Sequence, residues 1–218
     1  MIPGPGGIPG VEKVGSSVSI SITADAHAHH VDDDRKVRLG MLFYVLTDVI
    51  FVLFMFAGYV WLRAYNTDGG WFPYKGMRLP DAGTSNLLVL LIVASGLSFF
   101  AGYQAIRRGF VSVFKACLVV ALLLEVVALI GQIRFMGQQQ FATGDGSFAS
   151  VYILLSGYHV YHMLLGLFLG LGITNRALKG KYSQERHLGV ITVGYFWYWM
   201  ALMPVCMWLM MAALPPKL

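Results

Sequence analysis

The sequence predicts an all-α protein, a polytopic membrane bundle of five transmembrane helices, and three observations carry that prediction. Hydrophobic residues make up 57% of the 218, charged residues only 12%, and the mean hydropathy is +0.65, a balance foreign to soluble domains. Five apolar runs, at residues 39–62, 87–106, 112–133, 151–172 and 188–214, are each long enough to cross a hydrocarbon core of about 30 Å as a helix. Basic residues gather between these runs and at their ends, where anionic headgroups attract them. The net charge of +5 therefore points to a membrane surface and not to nucleic acid. Cys117 and Cys206 both fall in apolar runs and form no CxxC, so neither a disulfide framework nor a thiol redox motif is indicated.

Two regions are predicted, an N-terminal cytoplasmic flexible arm over residues 1–38 and a transmembrane domain over 39–214. The arm is rich in Gly, Ser, Pro and Asp and lacks the basic start, apolar run and cleavage site of a signal peptide. Its stretch DAHAHHVDDD gathers His27, His29 and His30 beside Asp25, Asp32, Asp33 and Asp34, donors that suit a divalent metal. A short polar run without a scaffold does not fix ligand geometry, however, and no metal site is predicted there.

The first span is guarded by Arg35, Lys36 and Arg38 at its entrance and by Arg63 at its exit, and it carries Asp48 well inside. A carboxylate near the bilayer centre costs roughly 2.5 to 3.5 kcal/mol on insertion scales, so Asp48 is expected to be neutral, paired or turned to a polar crevice. Residues 65–86, with Gly69-Gly70, Pro73, Pro80, Trp71, Phe72 and Tyr74, read as a loop with aromatic interfacial anchors. In the second span Ser98 and Gly102, four apart, allow a close helix neighbour.

The third span holds Glu125, with no cation within a turn on its own helix. It is expected to be protonated or to meet a polar group from another helix, His159 and His162 being candidates. The fourth span, VYILLSGYHVYHMLLGLFLGLG, carries those two imidazoles three residues apart on one helical face, with Gly166 and Gly170 as a close-packing pair. The plain reading is that the histidines hydrogen-bond to neighbouring helices. In the fifth span Pro204 removes a backbone donor and frees the carbonyl of Met200, while Met203, Met207 and Met211 form a stripe, a packing surface whose thioethers are also soft ligands.

Counted by side across five spans, eleven Lys and Arg fall with the N-terminus and the two even-to-odd loops, and five on the opposite side. The positive-inside rule places the N-terminus in the cytoplasm and the C-terminus outside. A haem held between two imidazoles needs ligands from opposite sides, and here both intramembrane histidines share one helix. HExxH, Walker A, GxGxxG and GxSxG patterns are missing as well. Any redox or catalytic centre is therefore expected in a partner.

The order of these features resembles subunit III of the haem-copper respiratory oxidases, the cytochrome c and quinol oxidase subunit III family in its five-span bacterial form. LGMLFYVLTDVIFVLFMFAGYVWLR, SGYHVYHMLLG and KGKYSQERHLG carry the resemblance. It implies an accessory, non-catalytic subunit of a bacterial inner-membrane terminal oxidase, partnered by catalytic subunit I and subunit II. Haem and copper would then lie in those partners, and phospholipid in a V-shaped cleft between the first two helices and the remainder. It further implies lipid- or proton-related roles for Asp48, His159, His162, Arg186 and His187, with His159 near a headgroup. Glu125 matches no family position, and the family's WHFVDVVW in the last helix is replaced by a run in which Tyr198, Trp199, Met200 and Ala201 follow Trp197. The rival reading is a transporter or copper-handling protein built on the Met stripe, Cys206 and the histidine-rich arm.

Overall fold

A computed structural model describes residues 12–65, 71 and 78–214, with side chains described from residue 33 onward. Five helices account for almost all of it: α1 Glu12–Ala64, α2 Ala82–Arg107, α3 Val111–Gly137, α4 Ser147–Leu178 and α5 Leu188–Ala213. Each contains a stretch long and apolar enough to cross a membrane, that of α1 lying within Asp33–Ala64. The histidine-rich part of the arm and the anchors Phe72 and Tyr74 lie outside the described side chains.

The chain divides into two units, residues 1–40 and 41–218. In the first, the backbone is already helical at Glu12, where composition suggested a flexible arm, and Lys36 meets Asp33 at 3.3 Å on an exposed face. The second holds the bundle.

Helix α2 begins five residues before its apolar run because Asp81 caps it, accepting from the Thr84 amide and hydroxyl, each at 2.7 Å. Those hydrogen bonds, the amide's first, hold the Asp81 carboxyl below its ordinary value. Close packing of α2 on α3 follows from small residues. Ser95 Oγ donates to the Ala121 carbonyl and Ser98 Oγ to that of Cys117, both at 2.9 Å, while a side chain at Gly102 would press on Cys117. Glycines do the same between α4 and α5. A Cβ at Gly170 would stand 2.5 Å from the Trp197 ring, and one at Gly166 would stand 2.6 Å from Met200 Sδ. Both small-residue pairs expected from the sequence therefore sit at tight helix approaches.

Around these seams a buried core joins α2 to α5, including Phe99 stacked on Trp197 at 5.1 Å. A second cluster packs Tyr59, Trp71, Phe148 and Tyr152. Trp71 corrects the interfacial-anchor expectation: it is fully buried, edge-on to Tyr59 and Phe148, whose rings receive it.

Helix α1 is attached differently. Within the second unit no Cα of α1 comes within 8 Å of one on another helix, and its side chains alone bridge the gap. The resemblance implied that the first two helices stand apart from the rest. Here α2 packs closely on α3 and α5, and only α1 stands off.

Candidate functional site

The bridge between α1 and the rest of unit 41–218 is built around Asp48, which is 8% exposed. Oδ1 accepts a short hydrogen bond from the Tyr158 hydroxyl. Oδ2 accepts from Trp199 Nε1 at 2.5 Å and lies 2.8 Å from His162 Nε2. Donors from α4 and α5 thus converge on one carboxylate of α1. Rings close the site: Phe51 packs on Tyr158 at 5.1 Å, and Phe196 stacks on His162 at 5.8 Å with Tyr44 beyond it.

The tautomer of His162 follows from its other nitrogen. Nδ1 lies 2.8 Å from the Tyr158 carbonyl, which only accepts, so Nδ1 carries a proton. Nε2 then either donates to an ionised Asp48 or accepts from a protonated one. In both arrangements a single proton lies between Oδ2 and Nε2, and the pair taken together is neutral, which is what burial favours. His162, fully buried, and Asp48, nearly so, hold that proton out of bulk water.

His159 takes a different direction. Three residues along a helix turn a side chain by about 60° from the first, enough to give it another neighbour. His159 Nε2 lies 3.3 Å from the carbonyl of Met200, the group that Pro204 leaves without its helical donor. The imidazole therefore repairs the break that the proline makes. The structure does not join Glu125 to either histidine. Glu125 is fully buried, and both its oxygens lack a hydrogen-bond partner among the described residues; its neighbour Ser95 donates to Ala121 and accepts from Trp197 Nε1.

Arg186 and His187 stand apart from this cluster at the start of α5. His187 occupies the N-cap position without a side-chain cap, its ring 6.2 Å from that of Tyr103 and its Nδ1 buried without a partner among the described residues. Arg186 is exposed, its amide donating to Ser183 Oγ at 3.2 Å. In the same loop burial pushes the Tyr182 hydroxyl above its ordinary value, against the pull of the Arg176 guanidinium 5.7 Å from the ring. On α5, Met203 is buried, whereas Met207 and Met211 line a cavity.

Sequence reasoning named Asp48 and His162 but not that they meet, and it missed Tyr158 and Trp199. Tyr158 was visible as the residue four before His162, hence on its face. Trp199 stood in the aromatic run of the last span with nothing to mark its indole as a donor.

Comparison with known proteins bears on the whole constellation. The profile of the cytochrome c oxidase subunit III family matches residues 17–213. Cytochrome c oxidase subunit 3 of Rattus norvegicus is 24% identical over 183 residues, which cover 78% of this chain and 67% of that one. The protein of the same name from Thermostichus vulcanus is 23% identical over 189 residues, covering 86% and 89%.

Proposed function

Because the chain belongs to the cytochrome c oxidase subunit III family, we propose that it is the accessory, non-catalytic subunit of a bacterial haem-copper terminal oxidase. In this reading it sits in the inner membrane with its N-terminus in the cytoplasm, docks on catalytic subunit I in a complex that includes subunit II, and leaves haem and copper to them. Its own contribution is to hold phospholipid at its lipid-facing surface and to sustain proton uptake by the catalytic subunit.

The observation that supports this best is the Asp48–His162 pair. A carboxylate, an imidazole, a phenol and an indole converge within the spans around one shared proton. Tyr158 and Trp199 donate to the carboxylate, which limits how strongly it pulls on the proton, and His162 is braced by the Tyr158 carbonyl. Such a set can hold or pass a proton without changing its net charge.

The test is a progress curve for oxygen reduction by the purified complex with this chain, without it, and with Asp48→Asn. The expected result is equal initial rates, with the depleted and Asn complexes losing activity earlier during sustained turnover. Linear curves of equal slope in all three would reduce the chain to a packing element. Oxygen reduction by the isolated chain would end the accessory reading altogether.

A further inference from the structure

A cavity of about 380 Å³ lies among α2, α3, α4 and α5, walled by Leu88, Ile92, Phe135 and Met207 among others. That volume is in the range of small-molecule sites. On α2 its lining runs from Ala82 to Ile92, a depth of about 15 Å at the helical rise, which is half the hydrocarbon thickness.

Three features define what fits. The lining includes no Lys, Arg, Asp or Glu, in a chain that has 16 basic and 11 acidic residues. A phosphate, carboxylate or cation would enter without a counter-charge, so the occupant is neutral.

The second feature is an acceptor. His159 is part of the wall, and its Nε2 faces the Met200 carbonyl. A carbonyl only accepts, so the proton sits on Nε2 and Nδ1 keeps its lone pair. The hydrogen bond that His159 makes uses Nε2 alone. Ser156 and Gln132 lie in the same wall. An occupant that brings a hydroxyl donor satisfies this set; one that brings only acceptors leaves Nδ1 idle.

The third feature is the character of the walls. Phe135, Tyr152 and Trp208 supply rings, and Met207 and Met211 supply polarizable thioethers, surfaces that suit a flat aromatic body. Trp208 is held in place by its indole N–H donating to Asn86 Oδ1 at 2.7 Å.

We propose that this cavity binds a neutral, hydroxyl-bearing ring compound dissolved in the membrane, of the phenol or hydroquinone class, with its hydroxyl donating to His159 Nδ1. The inference is independent of the proton pair at Asp48, which belongs to other faces of α4 and α5.

The test uses the full chain in lipid nanodiscs and two photoreactive probes, para-hydroxybenzophenone at mildly acidic pH, where its phenol is neutral, and para-methoxybenzophenone, which lacks the donor. The hydroxyl probe is expected to label Met207 and Met211 saturably. The methoxy probe is expected to need about tenfold more for the same labelling, the consequence of leaving one buried acceptor unmet. Val89→Phe, which fills the cavity, and Gln132→Leu, which removes a polar wall group, are each expected to weaken labelling; two variants guard against one misfolding. Equal labelling by the two probes would overturn hydroxyl recognition. Unsaturable labelling spread over exposed residues such as Phe43 and Phe54 would show that the cavity is no site. Displacement by anionic phospholipid but not by unlabelled phenol would show that the occupant is charged.

Discussion

Removing the Asp48 side chain takes one buried acceptor from two donors and the proton partner from His162. Asp48→Ala leaves Trp199 Nε1 and the Tyr158 hydroxyl without the carboxylate they donate to, and His162 Nε2 without the group it shares a proton with, and a loss of roughly 3–5 kcal/mol is expected, as for a buried pair deprived of one member. Asp48→Asn is expected to cost less, about 1 kcal/mol, because its oxygen still accepts and its amide can donate to His162 Nε2. Unfolding of the full chain in micelles, compared across both variants, checks the ranking. Glu125 offers a second residue-scale test. A charged carboxylate buried within an apolar span would cost several kcal/mol, so the neutral acid is what fits its site. A hydrophobic carbodiimide is accordingly expected to label Glu125, Asp48 or both; mass mapping that finds only Asp81, Asp145 and Glu185 modified counts against it. The sequence made these acids conspicuous because charge in an apolar run stands out by composition alone. It could not say that Asp48 finds His162 while neither histidine meets Glu125, since spacing along one helix carries no distance to another.

Helices carry their own signals more openly. All five elements and both small-residue seams were legible, because apolar length sets a span and small residues at a spacing of four permit close approach. The Pro204 break was legible too, though the imidazole that meets the Met200 carbonyl was not. The seams make a sharp contrast testable. Gly170→Ala pushes a methyl to within 2.5 Å of the Trp197 ring and is expected to cost 1–3 kcal/mol. Gly58→Ala, with nothing within 4 Å, is expected to stabilise α1 by up to about 1 kcal/mol. Thermal melts of the two variants check the opposite signs. At the start of α2 the sign of a pH effect can be worked out. The Asp81 carboxyl titrates lower in the folded chain than its ordinary 3.8, so the cap is complete above that value and is lost as pH falls through the lower folded one. Hydrogen exchange at Thr84 and Ser85 should therefore accelerate, relative to the rest of α2, only in strong acid.

For the whole molecule, the asymmetry of basic residues predicts that the chain expressed alone inserts with its N-terminus in the cytoplasm and its C-terminus outside. Reporters fused at each end check it, and a C-terminus found inside would break the five-span count. The stand-off of α1 was not legible, because bulk at a helix face reads the same whether it meets lipid or protein. That stand-off has a consequence during synthesis. Asp48 precedes the donors that meet it by 110 residues for Tyr158, 114 for His162 and 151 for Trp199. At about 5–20 residues per second the first helix waits on the order of 6–30 s in the bilayer before its partners emerge. Until then its carboxyl has no partner from this chain, and any premature release of α1 from the insertion machinery exposes it to lipid. A pause or truncation in the second half of the message should therefore send this chain to membrane proteolysis, with its first span as the degradation signal.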